Sequence, residues 1–432
     1  MDARIVRAAW CGYDFANSAF ATIALTAFGG PYFQGVLVGP DGMSLFGLRL
    51  DGAAAWGLAV STAMALVTVS SPWLGALADR RGLKRALLAL YTAAGVGATA
   101  ALGLLGPGSG AAAWWTYVLA IACFEGAYVF YNAFLPDLAP PERLGRLSGL
   151  GWATGYAGGL LALACVLPLL PERYEAAEAS EGARVYLVTA GWWALFSLPA
   201  LLLLRDRPDA TRAATPGPSL RATLRLLSTH RVVAVFLVAY LLYNDGIETV
   251  IEFTGIYTKE VLGFTPSDNV VLFLALNLIA APGALLFGRL LDRIGGVRTL
   301  RITLLVWMLV VVGAALARTK AAFWPVAMLA AVVIGATQAS SRALMARLGP
   351  RERAGELMGL LALSGKASAI VGPALYGLVA QAGADPTDPA RGHRIAIVVI
   401  GALFVAAFFV LGRVREPAVL ASTPAPREGS HP

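Results

Sequence analysis

Charge is scarce in this sequence. Only 14% of its 432 residues are Asp, Glu, Lys or Arg and 58% are hydrophobic, whereas a typical soluble domain has about 25% charged and about 45–50% apolar residues. That composition cannot cover a water-facing surface, so a soluble globular protein is excluded. Cysteine is also sparse: Cys11, Cys123 and Cys165 stand far apart, in or near apolar segments, without metal-ligand spacing. His230, His393 and His431 are too scattered for a metal site. The absence of a Gly-rich loop followed by Lys-Ser or Lys-Thr argues against an ATP-driven pump. No cofactor, metal or catalytic residue is therefore expected. The basic start at Arg4 and Arg7 runs into apolar chain without a small-residue cleavage site, so no removable signal is expected.

Long uncharged runs take the place of charge, among them Phe15–Pro40, Gly52–Ala78 and Ile395–Gly412. Several reach the roughly 20 residues that cross a bilayer core as helix. Turn residues and charges divide the chain into twelve candidate helices: 10–38, 52–77, 86–105, 112–135, 148–170, 185–204, 231–257, 269–291, 299–317, 321–346, 357–381 and 394–412. The fold class expected is an all-α, multi-pass integral membrane protein, with the lipid bilayer as its first partner. An even number of spans puts both termini on one side. Of the 34 basic residues, 25 fall on that side and 8 on the other, with Lys366 inside a span. The positive-inside rule then expects cytoplasmic termini. The net charge of +8 reads as this topology signal, and no nucleic-acid partner is expected.

The polar, basic segment Arg205–Arg231, with Pro208, Pro216 and Pro218, cannot span. It reads as a linker between a first bundle, residues 1–204, and a second, 231–412, with 205–230 between them and a tail, 413–432, expected to be disordered. Internal repeats agree. GALADRRGLKR at Gly75–Arg85 matches GRLLDRIGGVR at Gly288–Arg298 at an offset of 213, and LAPPERLGRLSG at Leu138–Gly149 matches LGPRERAGELMG at Leu348–Gly359 at an offset of 210.

Two six-helix repeats, a basic central loop and the repeated Gly-x-x-x-Asp-Arg-x-Gly pattern resemble the major facilitator superfamily over essentially the whole chain. YDFANSAFAT (Tyr13–Thr22), YNAFLPDLAPPE (Tyr131–Glu142), SGLGWATGYAGG (Ser148–Gly159), YNDGIET (Tyr243–Thr249) and SGKASAIVGPALYG (Ser364–Gly377) narrow this. They look like the family that includes fungal vacuolar amino-acid effluxers associated with autophagy. The resemblance implies two pseudo-symmetric six-helix bundles with spans 1, 4, 7 and 10 lining a central cavity. It implies a secondary transporter that moves a small-molecule solute by alternating access, with amino acids as candidate substrates. An uncoupled facilitator, a lipid translocator and a non-transporting membrane sensor remain alternatives. The expected location is the plasma (inner) membrane if the source is prokaryotic, and the expected state is monomeric.

Charged residues at membrane depth cost about 2.5–3.5 kcal/mol each on insertion scales, so they mark function. Span 7 holds Asp245, Glu248 and Glu252, which with Thr249 share one helical face. This face should line the cavity, with at least one acid a candidate for proton coupling. Span 4 offers Glu125, Tyr128 and Asn132, span 1 Asp14 and Asn17, and span 10 Gln338. Lys366 in span 11 would either neutralise Asp245 or Glu248, the favoured reading, or meet a substrate carboxylate. In the loops, Asp79 with Gly75, Arg80, Gly82 and Arg85, and Asp292 with Gly288 and Arg293, place a carboxylate at a helix end beside guanidinium groups. By resemblance these form a conformational clasp, with Glu142, Arg143, Glu352 and Arg353 as further members.

Overall fold

The computed structural model describes residues 2–50, 52–170, 179–206, 225, 227–264, 266–368, 371–383, 385, 387–388 and 390–416. Most of the expected linker and of the tail lies outside them.

Among the described residues the chain is almost entirely helical. The first bundle is built from α1 (Ala3–Ala19), α2 (Gly52–Arg81), α3 (Lys84–Leu102), α4 (Gly110–Ala133), α5 (Leu144–Val166) and α6 (Ala179–Leu203). The second contains α7 (Arg231–Leu262), α8 (Pro266–Ile294), α9 (Gly296–Leu316), α10 (Lys320–Leu348), α11 (Ala354–Ser368), α12 (Val371–Ala382) and α13 (Ala390–Leu411). Ten of these helices are long and apolar enough to cross a bilayer. The first span continues α1 through π-helical Phe20–Ala27 and then bends by 51° into Gly29–Val38. Gly29 lets the chain fold back closely at the bend, since a Cβ there would collide with the Ala24 carbonyl oxygen. The eleventh expected span is α11 and α12, on either side of residues 369–370. Strands β1 (Met43–Leu45) and β2 (Leu48–Leu50) form a small hairpin before α2.

Packing shows how the bundles meet. One apolar cluster, containing Trp10, Tyr13 and Phe130 of the first bundle and Tyr243, Leu291 and Leu344 of the second, joins both on the side where the termini lie. On the opposite side the cores are separate, one around Phe20, Tyr117 and Trp193 and the other around Tyr257, Phe323 and Ile397. The molecule is thus closed at its terminus side and parted at the other.

The most extensive contacts between bundles are α5 on α8 and α2 on α11, which the internal repeat relates to each other. Small residues permit them. A Cβ on Gly75 would strike the backbone of Gly355, and one on Gly145 the backbone of Gly288. The other repeated glycines serve turns: Gly82 and Gly295 stand at φ 63° and 92°, a left-handed conformation that glycine adopts without Cβ strain.

Candidate functional site

A cavity of about 420 Å³ lies between the bundles. It is lined by Ser18 on α1, Glu125, Tyr128 and Asn132 on α4, Asn244 and Glu248 on α7, Gln338 and Arg342 on α10, and Lys366 on α11. A second, mostly apolar lobe of about 410 Å³ lies on the side of α7 and α10 and shares Trp152, Tyr156 and Gln338 with the first. Spans 1, 4, 7 and 10 all contribute, as the resemblance implied.

Lys366 does not pair with the α7 acids. Its ammonium sits 2.7 Å from Glu125 Oε1 on α4, because α11 packs against both α4 and α7 and Asp245 is engaged elsewhere. The Asp245 carboxylate accepts from the Gly372 backbone N–H at 2.8 Å, where α12 begins. Thr249 turns its hydroxyl back onto the Asp245 carbonyl and lines the apolar lobe. Glu248 faces the polar lobe, whereas Glu252 is exposed and lines neither lobe. The three acids of α7 therefore occupy three different environments.

At the bottom of the cavity is a buried cation, Arg342, one of the 25 basic residues that the charge count places on the terminus side. The run 321–346 put it near a helix end, but α10 continues to Leu348 and the side chain is 4% exposed. Its Nη1 lies 3.3 Å from Asp14 Oδ2 and donates to Asn132 Oδ1 at 3.0 Å. Its Nε and Nη2 donate to the hydroxyl and carbonyl of Ser148 at 2.9 and 2.8 Å. The Tyr128 and Tyr131 hydroxyls donate to the two oxygens of Asp14 at 2.6 and 2.8 Å. Trp10, Tyr131 and Trp152 present ring faces to the guanidinium at 5.0 to 5.6 Å. Asp14 and Asn132 thus converge on Arg342, Asn132 in the cavity wall and Asp14 buried behind it, outside the lining. Asn17 is fully buried instead, with neither amide atom partnered among the described residues.

The clasp acids are placed as the repeat suggested, but their partners differ. Asp79 Oδ2 accepts from the Glu356 backbone N–H at 2.9 Å, at the first turn of α11 in the other bundle. Asp292 does the equivalent on α5, accepting from the N–H groups of Gly145 and Arg146 at 2.9 and 2.7 Å. Each carboxylate therefore meets the positive end of a helix across the bundle interface. The cations beside them are Lys84, 3.5 Å from Asp79, and Arg347, 2.6 Å from Asp292. Arg80, Arg143 and Arg293 are exposed, and Arg85 donates to the Leu201 carbonyl. Glu142 and Glu352 enter no ion pair among the described residues, while Arg353 pairs with Glu356. Guanidinium groups next to an Asp in sequence point outward from the helix end, and the partners come from packing.

The family model described as "Vacuole effluxer Atg22 like" matches residues 2–417. The chain belongs to this family. An uncharacterised major-facilitator-type transporter, YxiO of Bacillus subtilis, is 29% identical over 405 residues, covering 92% of this chain and 93% of its own. Autophagy-related protein 22-2 of Aspergillus clavatus is 26% identical over 268 residues, and the match spans 43% of that longer protein. The human organic anion transporter MFSD10 has the same fold, with a TM-score of 0.70 over 95% of this chain and 100% of its own at 17% identity. The Atg22-like chain is accordingly a multi-pass membrane protein with the major facilitator fold, from a family of transporters.

Proposed function

We propose that this protein is a secondary active transporter that moves a small polar solute, with amino acids as the first candidates, by alternating access coupled to protons. The observation that carries the reading is the Glu125–Lys366 ion pair at 2.7 Å. It joins α4 of one bundle to α11 of the other in the wall of the cavity, beside Glu248. An ion pair that bridges the moving parts and opens into the cavity can exchange partners with a zwitterionic solute or a proton. The names of the transporter relatives and the family's vacuole-effluxer description support the class; amino acids come first because the sequence motifs resemble those of fungal vacuolar amino-acid effluxers. The bias of the loop charges supports cytoplasmic termini; in that orientation the parted side of the molecule faces away from the cytoplasm. The cavity is complete within one chain, so the unit proposed is the monomer, in two bundles of residues 1–204 and 231–412.

The test is transport by purified protein in proteoliposomes. Uptake of labelled amino acids is measured under an imposed pH gradient and in counterflow without one. Glu248→Gln should abolish gradient-driven accumulation while leaving counterflow measurable. If Asp245→Asn, Glu248→Gln and Glu125→Gln all accumulate solute with the wild-type pH dependence, proton coupling through these acids is wrong. Failure to accumulate any solute against its gradient would favour an uncoupled facilitator.

A further inference from the structure

A separate cavity of about 540 Å³ lies at the terminus-side end of the second bundle, lined by Arg293, Arg298, Arg301 and Arg347 together with Val297 and Glu416. A carboxylate of the chain already sits in it. Glu416, beyond α13, accepts from the Gly296 and Val297 backbone N–H groups at 2.7 and 3.3 Å and from Arg347 Nη1 at 3.1 Å. It therefore caps the first turn of α9, a 21-residue helix. Donor capacity is left over. The Arg347 side chain is 3% exposed, yet its Nε has no partner among the described residues, and neither has the buried Nε of Arg301.

The first bundle shows why this space is open. There Asp206 makes the corresponding cap, accepting from the N–H groups of Lys84 and Arg85 at 3.0 and 3.2 Å. Lys84 fills the adjoining space, its ammonium 3.1 Å from Asp137 and 3.5 Å from Asp79. At the repeat offsets of 213 and 210, Val297 stands in place of Lys84, and Arg347 in place of Asp137. The cation has moved to the end of α10 and the short valine leaves the volume unfilled. The result is a hollow with four guanidinium groups against the carboxylates of Glu416 and Asp292.

We propose that this hollow is a binding site for a phosphate-type anion, which replaces Glu416 at the first turn of α9 and is held by Arg298, Arg301 and Arg347. Helix N-termini and guanidinium groups together are the usual donors to phosphate oxygens. A phosphate presents more acceptor oxygens than one carboxylate, which matches the donors that Glu416 leaves unused. The group has two possible sources, an anionic lipid headgroup in the adjoining leaflet and a free phosphate in solution. Arg347 also holds Asp292 at 2.6 Å, so occupancy changes a partner of the contact between α5 and α8. The site is independent of what the central cavity transports.

The full-length protein, purified in detergent, is titrated with inorganic phosphate by calorimetry. In parallel, its melting temperature is compared in nanodiscs of phosphatidylcholine with and without phosphatidylglycerol. Removing the competing charge with E416Q should tighten phosphate binding about tenfold, and R298Q/R301Q should weaken it by at least about tenfold. A phosphate response alone assigns a soluble ligand; a phosphatidylglycerol-dependent rise in melting temperature that R298Q/R301Q abolishes assigns the lipid headgroup. The proposal is overturned if neither arm responds, or if the responses are the same in wild type, E416Q and R298Q/R301Q. Should the double variant fold poorly, R298Q alone, at an exposed position, answers the same question.

Discussion

Arg342 on α10 and Asp14 on α1 meet 3.3 Å apart with side chains 4% and 1% exposed, so the two bundles share a buried charge pair directly beneath the cavity. Breaking such a pair from one side costs about 3–5 kcal/mol, because the remaining charge is left buried and uncompensated. Arg342→Gln should therefore lower the melting temperature of the detergent-solubilised protein more than the double variant Asp14→Asn/Arg342→Gln does. A double variant that loses the full sum of the two single losses would show that the two side chains are not coupled.

If Asp79 and Asp292 hold the bundles together, their neutralisation shifts the population. Asp292→Asn removes a charge that receives two backbone N–H groups from α5 and one guanidinium, and hydrogen bonds to a charged group contribute about 1.5–3 kcal/mol each. Spin labels at exposed Arg143 and Arg293, one on each bundle, should report a new longer-distance population in pulsed dipolar spectra. Asp79→Asn should act in the same direction through α11. Unchanged distance distributions in both variants would reduce these acids to helix-end features.

Glycine contacts give a prediction of opposite sign to a stabilising substitution. Gly75→Leu and Gly145→Leu would place side chains where the backbones of Gly355 and Gly288 now lie. The terminus side could not close, so both variants should insert normally yet lose transport, and the same spin-label pair should read mainly the longer distance. Wild-type uptake by Gly145→Leu would mean that α5 and α8 never approach this closely during the cycle.

Topology can be checked without any transport assay. With the native cysteines replaced, a cysteine at Gly108, in the turn before α4, should react with a membrane-impermeant reagent in intact cells. One at Thr215 should react only after permeabilisation. Reaction at Thr215 in intact cells would invert the proposed orientation.

What the sequence could and could not reveal follows from the range of each interaction. Spans and the cavity face of α4 were legible because hydrophobic runs and helical spacing are local, and Glu125, Tyr128 and Asn132 do share the cavity wall. The carboxylates Asp79 and Asp292 at the helix ends were legible through the repeat. Their partners were not, because a backbone N–H at the start of another helix has no residue signature. Arg342 was missed because an arginine six residues before a helix end looks like a loop charge until packing buries it. The partner of Lys366 depended on which neighbour α11 touches, a distance of 241 residues along the chain.

That last pair offers the sharpest separation of structure from transport. Glu125→Gln leaves the Lys366 ammonium in the cavity wall without its carboxylate, and Lys366→Gln does the converse to Glu125, which is 16% exposed. Partial exposure lets water offset some of the loss, so each single variant should melt only a few degrees below wild type. The exchange Glu125→Lys/Lys366→Glu restores an ion pair of the same reach between α4 and α11. If the pair is only a strut between bundles, the exchanged protein should recover both melting temperature and accumulation. If, as proposed, these groups trade partners with solute and proton, the melting temperature recovers and accumulation does not, because the ammonium and the carboxylate now lie on the wrong walls of the cavity. Recovery of both would leave the coupling role to Glu248 alone.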